Sequence, residues 1–257
     1  MAERLLETDL AADIVEQTSA AVAAVLAQAG AVSADELAGR VMSQTHAEGE
    51  RWQHQVLATG PRLACREGCP WCCYGTKVDV LAPEALVIAA ELLREGTDPR
   101  SIRESARRVE HLSREDRHRQ RVACPLLDEA RGRCSVHALR PLACRGHGSL
   151  SARDCQHALE QGEEDRAIPK HVPLLLVHSA VSAGLRLALK QAGLDGRVLE
   201  LSSALDVALS HGGAPERWAR GEKLFGQAIP SGTPVRDRAT PSKNQRKATR
   251  RARRASR

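Results

Sequence analysis

Every cysteine of this 257-residue chain lies between positions 65 and 155, and the long segments on either side contain none. The eight are Cys65, Cys69, Cys72, Cys73, Cys124, Cys134, Cys144 and Cys155. The first residues of the chain are acidic, whereas a secretion signal begins with basic residues and an apolar run. We therefore expect a cytoplasmic protein with reduced thiols, in which eight clustered cysteines favour metal ligation over four disulfides.

The first four cysteines stand close together in the segment CREGCPWCC. Separations of two or three residues let successive thiolates turn toward one centre, so this spacing predicts metal ligation by Cys65, Cys69 and Cys72. Cys73 directly follows Cys72, and adjacent side chains diverge in an extended backbone. Either Cys73 serves a different metal, or the centre is polynuclear and accepts both thiolates. A polynuclear centre favours an iron–sulfur cluster as the cofactor, with zinc as the alternative.

Nine, nine and ten residues lie between the remaining cysteines, which are Cys124, Cys134, Cys144 and Cys155. They complete a set of eight thiols, which suffices for two four-thiolate sites or for one cluster with ligands in reserve. His137 and His147 each stand three residues after a cysteine and are further candidate ligands, although a packed or solvent-facing histidine is the more common case.

Arg140 and Arg145 flank Cys144 in the segment RPLACRGH. Guanidinium groups beside a net-negative thiolate cluster can neutralise its charge, and they can also bind a carboxylate or phosphate of a cofactor. The two arginines are therefore candidate cofactor-binding residues, with a structural ion pair as the alternative.

Together, the segments CREGCPWCC and CPLLDEARGRCSVHALRPLACR resemble a family named for its CxxCxxCC motif. The first segment has one more residue between its first two cysteines than that motif. The second shares the family's Cys-Pro start, its Gly-Arg-Cys step and its Arg-Pro end before Cys-Arg. The resemblance implies a small bacterial cytoplasmic protein in which the eight cysteines chelate zinc or iron.

The same resemblance implies an alternative function. A bacterial lysine methylase that modifies flagellin is similar through its cysteine region and is associated with an iron–sulfur cluster and S-adenosylmethionine. A cluster-dependent enzyme, such as an S-adenosylmethionine-dependent protein methyltransferase, is therefore the second hypothesis. The C-x3-C-x2-C spacing also resembles the radical S-adenosylmethionine signature, but those enzymes carry it on a barrel of alternating strands and helices, which this sequence does not predict.

Helices are expected to dominate the fold. Aromatic residues make up only 2% of the chain, so Ala, Val and Leu must build the core, which favours closely packed helices. Ser33 with Glu36 predicts a helix start, and Pro83 and Pro173 predict two more. One continuous helix is predicted over residues 99–121.

The predicted fold class is mainly α, with a small β-hairpin in an irregular, cysteine-rich metal-binding core (α+β). The hairpin is predicted over residues 123–137, where an apolar run, a turn and a second short strand follow one another. The predicted segments are an N-terminal helical segment (1–60), the cysteine region (61–165), a helical segment packing on it (166–229) and a disordered basic tail (230–257).

The formal net charge of +6 is unevenly distributed. Residues 230–257 carry ten Lys or Arg and one Asp, a net charge of +9, which leaves −3 for the rest of the chain. Such a tail attracts polyanions, so we expect non-specific nucleic-acid contact, with a solubilising tail as the alternative. The apolar stretches Ala20–Val32 and Pro173–Leu189 are expected to be too short or too polar to span a bilayer, so no membrane contact is predicted.

Overall fold

Two long helices open the fold in a computed structural model, which describes residues 2–162 and 167–228. They are α1 (Ala2–Leu26) and α2 (Ala34–Thr59), with a turn of 3-10 helix between them. The Ser33 hydroxyl oxygen accepts a hydrogen bond from the Glu36 backbone N–H at 3.2 Å. This cap satisfies one of the free backbone donors of the first turn, and it confirms the start predicted for the second helix.

The next three helices lead into and out of the charged middle of the chain. α3 (Ala82–Arg94) has Pro83 in its first turn, as predicted. Residues 99–121 form two helices, α4 (Pro99–Val109) and α5 (Arg114–Arg119), so the prediction of one continuous helix is wrong. The chain breaks because the Ser113 hydroxyl accepts a hydrogen bond from the Asp116 N–H at 2.9 Å and starts a new helix there.

Five helices follow: α6 (Leu142–Gly146), α7 (Ala152–Gln161), α8 (Val172–Gln191), α9 (Leu201–Ser210) and α10 (Ala214–Ala219). α8 begins next to Pro173, as predicted, and packs against α1, α2 and α6. α3 packs against α2 and α9, and α4 packs against α9. The apolar core that these helices share includes Ile14, Val22, Val41, Leu86, Leu185 and Leu205.

α1 and α8 approach each other closely at Gly184. A Cβ atom at this position would lie 2.7 Å from the Val15 carbonyl oxygen and 2.7 Å from Thr18 Cβ. Real Cβ atoms do not tolerate such distances, so the α1–α8 contact requires a residue without a side chain here.

Strand structure in the described residues consists of two short antiparallel pairs. β1 (Asp79–Val80) pairs with β4 (Leu199–Glu200), and β2 (Leu127–Asp128) pairs with β3 (Arg133–Cys134). The second pair is the hairpin predicted over residues 123–137. Long helices with these small β elements confirm the predicted mainly α fold class.

A buried ion pair connects α5 to β4 and α9. Arg117 Nη1 lies 3.0 Å from Glu200 Oε1, and both side chains are almost completely buried. Arg117 also donates to the Val109 carbonyl at 3.1 Å, and the Ser203 N–H donates to the other Glu200 oxygen at 2.9 Å. These hydrogen bonds offset part of the desolvation of both charges.

The segment Asp9–Ala31 and helix α8 are long and apolar enough, by length and composition, to cross a membrane. This corrects the expectation that both stretches are too short or too polar. Half of the apolar window of α8 is buried inside the protein, which is typical of a core helix. The predicted segment boundaries stay predictions, and residues 230–257, predicted as a disordered tail, lie outside the described residues.

Candidate metal centre

Ser149 brings the first and the last cysteine of the sequence together. Its backbone N–H donates a hydrogen bond to the Cys65 sulfur at 3.1 Å, and its carbonyl accepts one from the Ala64 N–H at 2.9 Å. Burial raises the pKa of Cys155, and a hydrogen bond with Ser149 opposes that rise. Ser151 caps α7 and so fixes Cys155 within that helix.

The vicinal pair lies on a turn of 3-10 helix, Trp71–Cys73, which packs against α7. Cys69 lies two residues before this turn, with Pro70 between them. Burial raises the pKa of Cys69, and three neighbouring thiols raise it further: Cys65, Cys72 and Cys155. We refer to Cys65, Cys69 and Cys155 as the first thiol group.

A second set of thiols lies on the hairpin and on α6. Cys134 pairs with Leu127 in the hairpin, and Cys144 lies within α6. Burial raises the pKa of Cys124, and the thiols of Cys144 and Cys134 raise it further. We refer to Cys124, Cys134 and Cys144 as the second thiol group.

Cys72 has thiol neighbours in both groups. A hydrogen bond with the Cys73 thiol raises the pKa of Cys72 most, and burial adds to the rise. The Cys72 thiol in turn raises the pKa of cysteines in each group, in addition to the larger effect of burial. These cysteines are Cys69, Cys155, Cys134 and Cys144. Cys72 is exposed, while the other seven cysteines are partly buried. The residue thus reaches the surface although protein atoms surround its sulfur.

The structure divides the cysteines differently from their order in the sequence. Cys155, which the spacing placed with the later cysteines, lies with Cys65 and Cys69. Cys73 joins the turn to the hairpin segment through its backbone, because its carbonyl accepts a hydrogen bond from the Cys124 N–H at 2.7 Å. All eight cysteines are free thiols.

The two candidate cofactor-binding arginines have different surroundings. The charge of Arg140 lowers the pKa of Cys144 against the larger, opposing effect of burial, so its guanidinium group lies near the second thiol group. Arg145 contacts the protein on several sides: its Nε donates to the Arg140 carbonyl at 3.1 Å, and its Nη1 lies 3.3 Å from Glu50 Oε1. Arg145 therefore connects the segment before α6 to α2 through these two contacts.

The two candidate ligand histidines lie beside cations. His137 Nε2 is 3.2 Å from Arg140 Nη1, and burial followed by the charge of Arg140 lowers the pKa of His137. Burial also lowers the pKa of His147, with Lys170 and Arg114 adding to the effect. Both histidines are therefore held toward the neutral form, which is also the form that ligates metals.

Glu84 is a site residue that the cysteine pattern does not reveal. Its two carboxylate oxygens accept backbone N–H bonds from Leu142 at 2.9 Å and from Leu81 at 2.7 Å. Glu84 thereby holds the start of α6, and with it Cys144, against the start of α3. Glu84 stands three residues after Leu81, at the position of a capping-box acid, and this pattern was the available sequence signal.

The thiols of the described residues do not form a complete metal site in this conformation. Within residues 2–162 and 167–228, no three His, Cys, Asp or Glu side chains are arranged so that they could hold a metal ion as they stand. The chemistry of the donor set still fits thiophilic metals, because free thiols from several elements neighbour one another and Arg140 provides a positive charge beside them. Metal binding requires these thiols to lose their protons and turn toward the metal.

The comparison with known families supports this chemistry. Residues 64–164 match the CxxCxxCC family, described as a "putative zinc- or iron-chelating domain". The match contains all eight cysteines and confirms the resemblance stated from the sequence, whereas most of the helical body lies outside it. No curated protein and no solved structure matches the chain.

Proposed function

We propose that this chain is a metal-binding protein whose eight cysteines supply the ligands of a thiolate-bound centre. One observation carries the proposal: thiols on the CREGCPWCC loop, the hairpin, α6 and α7 neighbour one another around the turn Trp71–Cys73. Thiolates are soft ligands that select zinc, and iron in iron–sulfur clusters. The CxxCxxCC match over the same residues supports the same chemistry.

An iron–sulfur cluster is the first candidate for the centre, and zinc is the second. Cys72 and Cys73 are adjacent on the turn Trp71–Cys73, and a polynuclear centre could accept both thiolates because it spreads its ligands over several metal atoms. When bound, a cluster would supply one-electron redox chemistry, whereas zinc would cross-link the loop, the hairpin and the helices.

The protein groups around the thiols have separate roles in this proposal. Arg140 offsets the negative charge of the thiolates, and the Ser149 N–H donates to the Cys65 sulfur. Glu84 fixes the start of α6, so that Cys144 keeps its position. Arg145 supports the same segment from the α2 side, which makes Arg140 the arginine proposed to lie beside the centre. A cytoplasmic location, where thiols stay reduced, is part of the proposal.

Anaerobic purification of the full chain, followed by metal analysis, sulfide analysis and an absorption spectrum, tests the proposal. A brown protein with iron and acid-labile sulfide supports the cluster, and a colourless protein with stoichiometric zinc supports the second candidate. Cys134→Ser is expected to lose metal, whereas Ser135→Ala, at the exposed neighbouring position, retains it. A chain that holds neither metal contradicts the proposal.

The S-adenosylmethionine-dependent methyltransferase stays a prediction of the resemblance. Calorimetric titration of the metal-loaded protein with S-adenosylmethionine tests it directly. Saturable binding that is lost in the metal-free protein supports a cluster-dependent enzyme, and the absence of binding favours a redox or structural centre.

A further inference from the structure

Helices α1 and α8 together leave an apolar face in contact with solvent. Only 28% of the apolar window in the segment Asp9–Ala31 is buried, against 50% for the window in α8. A groove of about 640 Å³ runs between the two helices, with Leu176 and Leu187 of α8 lining it and 38% exposed. Small residues of α1 line the groove as well: Ala11, Ala12, Ser19, Ala20 and Ala23. We refer to this surface as the α1–α8 face.

The direction of α1 follows from its contacts with α2. Arg40, near the start of α2, donates a hydrogen bond to Gln28 near the end of α1 at 3.4 Å. Further along α2, Arg51 donates to Gln17, in the middle of α1, at 2.8 Å. Residue numbers therefore fall along α1 as they rise along α2, so these two helices are antiparallel.

Helix α8 is also antiparallel to α2. Gln53 of α2 lies 2.9 Å from His178 of α8, measured between Oε1 and Nε2. Gly60, directly after α2, lies beside His171 at the start of α8, since a Cβ there would be 2.6 Å from Nε2. Because both helices are antiparallel to α2, α1 and α8 run in the same direction.

The two ends of the α1–α8 face carry opposite charges. Asp9, Asp13 and Glu16 are exposed along the N-terminal part of α1, and Arg186 and Lys190 are exposed near the end of α8. None of these five side chains forms a salt bridge with another residue of the described part of the chain. Since the helices run in the same direction, one end of the face is acidic and the other is basic.

From this pattern we propose that two copies of the chain form a dimer through their α1–α8 faces, with the helices of the copies antiparallel. A two-fold axis that crosses α8 midway between Leu176 and Leu187 brings each of these leucines level with the other in the second copy. The same operation places the basic end of each copy over the acidic end of the other. A parallel arrangement would instead place like charges over each other, which disfavours association.

The dimensions of the face fit a small dimer interface. α8 has 20 residues, which corresponds to a length of about 30 Å, and two helices packed side by side are about 20 Å wide. Such a face buries about 1,200 Å² over both copies, which is the lower end of the range for specific interfaces. We therefore expect a dimer that dissociates in the micromolar range.

Sedimentation velocity of the full chain in reducing buffer, from about 1 to about 100 µM, tests the dimer. The mean mass is expected to rise over this range from that of one chain to that of two. Leu187→Glu buries a carboxylate in the apolar centre and is expected to weaken association at least about 100-fold. Leu93→Glu is the matched control, because Leu93 is 55% exposed on α3 and does not line the groove, so this variant keeps the dimer.

The antiparallel arrangement has variants of its own. Arg186→Glu with Lys190→Glu makes both ends of the face acidic and is expected to weaken the dimer about tenfold at low salt, and less at high salt. Adding Asp9→Lys and Asp13→Lys to that chain restores opposite charges at the two ends. Association is then expected to return toward that of the wild type.

The outcomes decide the dimer without touching metal binding, because α1 and α8 contain none of the eight cysteines. A monomer at every concentration overturns the dimer, and so does a dimer that Leu187→Glu leaves intact. A monomer that binds phosphatidylcholine vesicles, and loses them in Leu187→Glu, overturns it by assigning the face to a membrane. Failure of the fourfold charge reversal to restore association overturns the antiparallel arrangement. Far-ultraviolet circular dichroism identifies a variant that fails to fold, and the wild-type mass decides the question without any variant.

Discussion

At the scale of single residues, protonation decides when the thiols can bind metal. The thiolate is the ligand, so each thiol must lose its proton. Burial holds the pKa values of Cys124 and Cys144 above the ordinary thiol value, whereas the positive charge of Arg140 acts in the opposite direction on Cys144. Metal binding is therefore expected to strengthen as the pH rises, and Arg140 is expected to extend binding to lower pH.

Removal of the Arg140 charge is expected to shift metal loading to higher pH. In Arg140→Gln, the midpoint of zinc loading should rise by about one pH unit, because a nearby cation favours the thiolate form by that order. Arg140→Lys keeps the charge and should stay close to the wild type. Zinc competition with a chromophoric chelator across a pH series measures the midpoint. Identical midpoints for Arg140→Gln and the wild type would remove Arg140 from the site.

Glu84→Gln is expected to lower the free energy of unfolding by about 1–3 kcal/mol. The carboxylate accepts two backbone N–H bonds at a buried position, and an amide can accept only one of them with its oxygen. Urea unfolding of the metal-free protein measures the change. Glu91→Gln in the same helix is the control: Glu91 is partly buried and forms an ion pair with Arg94 within the helix at 2.7 Å, so its loss is expected to change the free energy by less than about 1 kcal/mol.

The same variant has a defined pH dependence. Burial raises the pKa of Glu84 from 4.5 to about 7, against the lowering effect of its two backbone donors. A raised pKa means that the carboxyl group stabilises the folded state fully below pH 4.5 and loses that contribution as the pH rises through 7. The free energy of unfolding of the wild type should therefore exceed that of Glu84→Gln by a larger margin near pH 4.5 than above pH 7. An advantage that grows with pH contradicts this account.

At the scale of secondary structure elements, local signals decided where helices begin. Ser33, Pro83 and Pro173 act within one turn, and the helices start where these residues predict. The sequence did not predict the break before Ser113, because the charged residues on both sides of it are compatible with one continuous helix. The Ser113 hydroxyl competes with that helix only locally, by accepting a hydrogen bond from the Asp116 N–H. The placement of Cys155 beside Cys65 depends on Ser149 and α7, a contact between distant segments that spacing in the sequence does not encode.

Gly184→Ala is expected to destabilise the contact between α1 and α8. The added Cβ would lie 2.7 Å from the Val15 carbonyl oxygen, so the two helices must move apart, at a cost of about 1–3 kcal/mol. Gly39→Ala in α2 is the matched control. A Cβ there meets nothing within 4 Å, and the change should stabilise the helix by about 0.5–1 kcal/mol. Thermal unfolding of both variants measures the difference, and equal effects would contradict the close approach at Gly184.

At the scale of the whole molecule, we expect nucleic-acid contact and metal binding to belong to different parts of the chain. The cysteines lie between residues 65 and 155, while the net charge of +9 belongs to residues 230–257, outside the described part of the structure. A basic segment of this kind binds polyanions by releasing their counterions, with little sequence preference. Nucleic-acid contact is therefore predicted to be separable from metal binding.

Deletion of residues 230–257 is expected to weaken nucleic-acid binding by a factor on the order of 100 at low salt. The metal content per chain should stay unchanged, because every cysteine remains. Fluorescence anisotropy with a labelled RNA of random sequence measures the affinity, and metal analysis of the same sample measures the content. Full nucleic-acid affinity in the shortened chain would assign the contact to the folded part.

Thiolate ligation is the central claim, and X-ray absorption at the iron and zinc edges of the anaerobically purified chain tests it most directly. The account predicts a first coordination shell made only of sulfur, at about 2.3 Å from the metal. A first shell dominated by nitrogen or oxygen would contradict it, because the metal would then be bound by groups other than the eight cysteines.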